Sequence, residues 1–155
     1  MGLTVLAAIR PDDINVALLV HVLGAMVLVG ALVTASAAAI VGWRDDAGPL
    51  RRLSYKTLLF GALPAFVVMR VGAEWIYRKE NLDQLPEDPA WVGIGYVTSD
   101  LGGILLLLAL VLGGIGLARS RSGGGGGLLK ASAVIATLLL AVYIVAVWAM
   151  GAKPS

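Results

Sequence analysis

The stretch from Ile14 to Trp43 contains no Lys, Arg, Asp or Glu, and an uncharged apolar run of that length leaves a chain few ways to fold. A helix crosses the hydrocarbon core of a bilayer with about 20 mostly apolar residues. This run exceeds that length, so it should tilt or project beyond the core. Three further segments qualify: 53–77, 91–118 and 128–150. The second reaches spanning length only with Arg70 and Glu74 included, the third holds Asp100, and the fourth is clean after Lys130. Charged residues make up 14% of the chain and hydrophobic ones 59%, whereas a soluble domain carries about a quarter charged. With 155 residues, the chain is too small to enclose such runs in a soluble core. The expectation is an all-α, single-domain integral membrane four-helix bundle, up-down-up-down, with the lipid bilayer as its first partner.

Composition removes several chemistries. The formal charge is +2 and no basic patch is interleaved with aromatics, so nucleic acid is not an expected partner. There is no cysteine, which excludes disulfides, thiolate zinc and cluster ligation. The single histidine, His21, excludes any motif that needs two. No Gly-x-Ser-x-Gly elbow is present. Gly93-x-Gly95 and Gly114-x-Gly116 lie inside apolar spans, and Gly123 to Gly127 lacks the Lys-Ser/Thr of a phosphate loop. Met1 to Asp12 reads as a short interfacial helix broken before Pro11, not as a cleaved signal or a myristoylation site.

The connections set the orientation. Arg44 to Arg52 is short and basic, Arg78 to Pro89 is acidic with two prolines, and Arg119 to Gly127 ends in five glycines that read as a flexible linker. Arg44, Arg51, Arg52, Lys56, Arg119, Arg121 and Lys130 outnumber Arg10, Arg78, Lys79 and Lys153. The first and third connections are therefore expected in the cytoplasm and both termini outside, in the inner (plasma) membrane of a bacterium. Trp75, Tyr77, Trp91, Tyr96 and Trp148 form an outer aromatic belt, with Trp43 and Tyr55 at the inner face.

Two small-residue ridges at four-residue spacing, Gly30-Thr34-Ala38 and Gly95-Ser99-Gly103, suit close helix packing in lipid. Ser36 and Thr137 are expected to bond their own helix carbonyls. Pro64 should kink the second span, since it removes a backbone donor and crowds the preceding turn.

Ionisable groups at membrane depth are costly and tend to face partners or water. At 1.5 Å of rise per residue, Arg70 lies about 21 Å along its helix from Lys56 and Glu74 about 27 Å. Asp100 lies about 28 Å from Arg119, Tyr143 about 20 Å from Lys130, and His21 about 34 Å from Arg44. The helices alternate in direction, so His21, Arg70, Glu74, Asp100 and Tyr143 should share one layer in the outer third. In one account this layer binds an ion, a proton or a small polar ligand, with Arg70 offering a planar fork of donors and Glu74, Asp100 or His21 exchanging protons. In the other, Arg70 pairs with Glu74 and Asp100 and the layer is polar glue between spans. No cofactor is required by either, although haem at His21, or copper at His21 with Met26, Met69 or Met150, is the remaining metal chemistry the residues allow.

The first span reads His21-Val-Leu-Gly24-Ala-Met-Val-Leu-Val-Gly30. It resembles the opening helix, His-x-x-Gly-Ala-x-x-x-x-Gly, of small bacterial four-helix membrane proteins of the copper-resistance protein D type and several related integral membrane families. The basic stretch Arg51-Arg52-Leu53 is similar as well, and the likeness covers about the first third of the chain. It implies that His21 is the functional position and that Gly24 and Gly30 serve close packing. The further histidines of a copper transporter or haem enzyme are absent here, so the resemblance supports a class more than an activity. The residues together point to a non-enzymatic binding or accessory membrane protein using the polar layer. A small ion- or proton-coupled transporter, as a homo-oligomer or in a larger membrane complex, is the alternative, and a haem- or quinone-binding redox protein the third reading.

Overall fold

The computed structural model describes residues 14–44, 48–81 and 90–152. The interfacial helix expected over Met1 to Asp12 and most of the acidic connection therefore lie outside the described residues. Helices α1 (Asn15–Arg44), α2 (Gly48–Thr57), α3 (Leu63–Lys79), α4 (Ala90–Arg119) and α5 (Gly126–Ala152) follow in order, with a π turn over Leu58–Ala62 and a 3-10 turn over Ser120–Ser122. Helix α2, the π turn and α3 run on as one span, so four helical segments are long and apolar enough to cross a membrane. The fold is an all-α four-helix bundle.

Two local outcomes differ from the sequence expectation, and a third, at Pro64, gives it a specific form. The basic stretch before residue 53 is helical from Gly48 onward. Pro49 falls in the first turn, where its missing donor has no intrahelical partner to lose. Around Pro64 the backbone answers with the π turn: the Leu63 N–H reaches the carbonyl of Leu58, five residues back. A regular α turn would press the proline ring on the carbonyl four residues earlier, and the wider turn relieves that clash. The glycine run is a defined turn as well. The Gly124 N–H donates to the Arg119 carbonyl at 3.1 Å and the Leu129 N–H to the Gly125 carbonyl at 3.1 Å. Gly123 and Gly125 hold φ of +82° and +85°, a conformation that favours glycine.

Helix α1 packs along the whole second span and also on α5, while α4 packs mainly on α5. The second span and α4 meet at few points, which leaves a looser seam on that side. In the middle of the bundle, Leu28, Leu32, Leu58, Leu106 and Leu139 are almost fully enclosed. They are interleaved with Ala35, Ala62, Ala109 and Ala136, small residues that let the backbones approach. The outward surface is the reverse of a soluble protein's: Leu19, Phe60, Ile104, Leu107, Leu138 and Val147 all face away from the core, as the surface of a lipid-facing bundle should.

The two small-residue ridges part company. Gly95 and Ser99 are buried, and Gly95 lies against Met150 of α5. Gly30 and Thr34 are exposed, and only Ala38 of that ridge reaches the core. Thr137 bonds the Ala133 carbonyl at 2.9 Å as expected, whereas the buried Ser36 hydroxyl has no partner. Tyr55 presses on Gly113 and Gly114 of α4.

Candidate functional site

Two glycines bring α1 and α3 into backbone contact. A Cβ on Gly24 would lie 2.5 Å from the Met69 nitrogen, and one on Gly72 would lie 2.6 Å from the His21 nitrogen. This approach places the His21 ring beside α3, where Nδ1 and the Met69 carbonyl are 2.9 Å apart. A carbonyl only accepts, so Nδ1 carries the proton and, in the neutral ring, Nε2 keeps its lone pair. His21 is thus oriented by the backbone of its neighbour, in the manner of a ring held for proton or metal chemistry at the other nitrogen.

The next residue on α3 faces the other way. Arg70 Nη2 lies 3.3 Å from Glu74 Oε1 on its own helix and 3.1 Å from Asp100 Oδ1 on α4. The guanidinium carbon sits 4.7 Å from the centroid of the Tyr96 ring, within range of a cation–π contact. The Tyr96 hydroxyl is hydrogen-bonded to Glu74, and the ring meets Tyr77 edge to face at 5.4 Å. A single guanidinium thus serves two carboxylates, a formal excess of one acidic group over basic ones in the trio. The Asp100 side chain is 62% exposed and that of Glu74 38%, so the carboxylates open away from the core while Arg70 is more enclosed. The seam between the second span and α4 is bridged here and, a turn nearer the middle, by Phe66 stacking on Gly103.

Tyr143 of α5 is buried, its hydroxyl set against Gly102 of α4. That hydroxyl has no hydrogen-bond partner, nor does the Ser99 hydroxyl on the same buried face of α4. Tyr143 is within electrostatic reach of Arg70. The chain matches no protein-family model, no curated protein and no solved structure. Its site is therefore read from chemistry alone.

The five sequence-derived candidates lie at one level of the bundle but in three places. Arg70, Glu74 and Asp100 form one cluster in the loose seam. His21 sits in the α1–α3 crossing and Tyr143 in the α4–α5 interface. Sequence reasoning placed Tyr96 in an aromatic belt and Ser99 in a packing ridge. Tyr96 stands four residues before Asp100, the spacing that stacks two side chains on one helix face, and that signal could have joined it to the cluster. Nothing in the sequence set Ser99 apart from the other small residues of its ridge. Among the described residues no group of three His, Cys, Asp or Glu is arranged to hold a metal ion. Of the candidate thioethers, Met26 points outward and Met150 packs on Gly95. Met69 meets His21 through its carbonyl.

Proposed function

We propose that the protein is a non-enzymatic binding or accessory membrane protein whose site is the Arg70–Glu74–Asp100 cluster with Tyr96, and that the site takes a proton or a small cation. The observation that carries this is charge balance: both carboxylates lean on one guanidinium, so the cluster repels an anion and attracts positive charge. Arg70 lowers the cost of holding two carboxylates near lipid, and Tyr96 supports both Arg70 from below and Glu74 by its hydroxyl. We place this end of the bundle on the extracytoplasmic side, following the Lys and Arg asymmetry of the connections. Binding is favoured over transport because the middle of the bundle is filled by enclosed leucines from all four spans.

Calorimetric titration of the detergent-purified protein with sodium, calcium and tetramethylammonium ions tests the cation reading. Proton release on shifting pH tests the proton reading. Glu74→Gln and Asp100→Asn should each abolish the signal while the protein stays folded. If no probe gives heat or proton exchange and the variants change only the melting temperature, the cluster is a tie between spans.

A further inference from the structure

At the other end of the bundle, one face of the second span passes from positive charge to hydrocarbon along a single line. Gly48, Pro49, Arg52, Leu53 and Lys56 line an open groove of about 550 Å³. Arg52 and Lys56 are four residues apart on α2, so their side chains stack on the same side. Phe60 is the next residue in that row and is 73% exposed, while Leu53, next to Arg52, is 47% exposed. Among the described residues neither Arg52 nor Lys56 makes an ion pair. Arg44, Arg51, Arg52 and Lys56 outweigh Asp45 and Asp46 in the sequence, leaving this stretch formally positive.

We propose that this groove binds a phospholipid with an anionic headgroup, its phosphate between Arg52 and Lys56, its glycerol region beside Leu53 and Lys56, and an acyl chain along Phe60. The guanidinium offers a planar pair of donors that matches phosphate oxygens, and the ammonium adds a compact charge one turn deeper. Residues that only oriented the chain would need positive charge but no groove. A site for free phosphate would gain nothing from Phe60. An aromatic side chain directly past the cations suits an amphiphile, whose glycerol and first methylenes follow its phosphate. This site is independent of the Arg70 cluster and stands or falls without it.

The test uses the full chain in a neutral detergent, with lipid occupancy read by native mass spectrometry. Phosphatidylglycerol and phosphatidylcholine of matched chains are titrated separately, with glycerol 3-phosphate as competitor. Phosphatidylglycerol is expected to be retained in preference to phosphatidylcholine. Arg52→Gln and Lys56→Gln should each weaken its retention about fivefold. Phe60→Ala should weaken both lipids without changing the preference, and Arg52→Lys should restore part of the loss. Equal retention of the two lipids, or no effect of either Gln variant, overturns the proposal. Displacement by glycerol 3-phosphate as effective as by lipid also overturns it, by assigning the groove to a free phosphate. Lys56 is exposed, so the Lys56→Gln arm remains readable if the Arg52 variant fails to fold.

Discussion

Arg70 holds Asp100 at 3.1 Å across the seam where the second span and α4 otherwise touch little. The pair adds a tie between two tightly packed halves, α1 with the second span and α4 with α5, that already meet where α1 packs on α5. An ion pair at that place constrains how the two halves sit relative to one another, whatever else the cluster binds.

Truncating Arg70 removes the cation that Glu74 and Asp100 both pair with. Arg70→Ala is expected to lower stability, and adding Asp100→Ala should recover part of the loss, with a coupling of about 1 kcal/mol because both side chains are partly exposed. A double-mutant cycle on detergent-solubilised protein measures it. Simple additivity would mean that the contact contributes nothing.

The α1–α3 crossing should tolerate no side chain at Gly72. A Cβ there would meet backbone atoms of His21 at 2.6 and 2.7 Å, and backbone cannot step aside as a flexible side chain can. Gly72→Ala is expected to cost about 1–3 kcal/mol. It should also separate His21 from the Met69 carbonyl, seen as a change in the imidazole resonances. Gly30→Ala, in a helix interior with open space around it, serves as the control and should be neutral or slightly stabilising.

Tyr143 separates ring from hydroxyl. The ring fills the α4–α5 interface, while the enclosed hydroxyl has no hydrogen-bond partner. Tyr143→Phe is expected to leave the melting temperature unchanged or to raise it, since an unpaired buried polar group costs about 1–3 kcal/mol. Tyr143→Ala should cost about 3–5 kcal/mol. A clear loss of stability in the Phe variant would show that the hydroxyl is bonded in the folded protein.

The glycine turn should respond unevenly to alanine. At Gly125, φ is +85° and a Cβ would run into the Gly116 carbonyl, so Gly125→Ala should destabilise by more than the ~1 kcal/mol of the backbone conformation alone. At Gly127, in the first turn of α5 with nothing nearby, alanine should be neutral or stabilising by a few tenths to about 1 kcal/mol. Thermal unfolding of the two variants side by side decides it.

The four spans were legible because a run such as Ile14 to Trp43 admits one solution, and the level shared by Arg70, Glu74 and Asp100 followed from helical rise alone. Which face each residue occupies was not legible. Rise fixes height to within a turn, but the azimuth of a helix depends on its neighbours, and an apolar helix has no polar side to reveal it. Hence His21 and Tyr143, level with Arg70, lie in interfaces of their own, and Gly30 and Thr34, whose spacing suits packing, face outward. The glycine run misled for a related reason: composition reports freedom, while the turn is set by two left-handed residues and a close approach to Gly116. The contact of Tyr55 with Gly113 and Gly114 was not legible either, because it is made across the bundle.

The turn before Pro64 acts as a rotary setting. One residue more in that turn advances everything after it by about 100° around the axis, so the azimuths of Met69, Arg70 and Gly72 are all inherited from it. A proline that a uniform helix would have to bend around instead selects which neighbour each of those side chains meets: α1 for Gly72, α4 for Arg70. The alignment of the charged cluster with its partner helix is thereby fixed two turns before Arg70 itself.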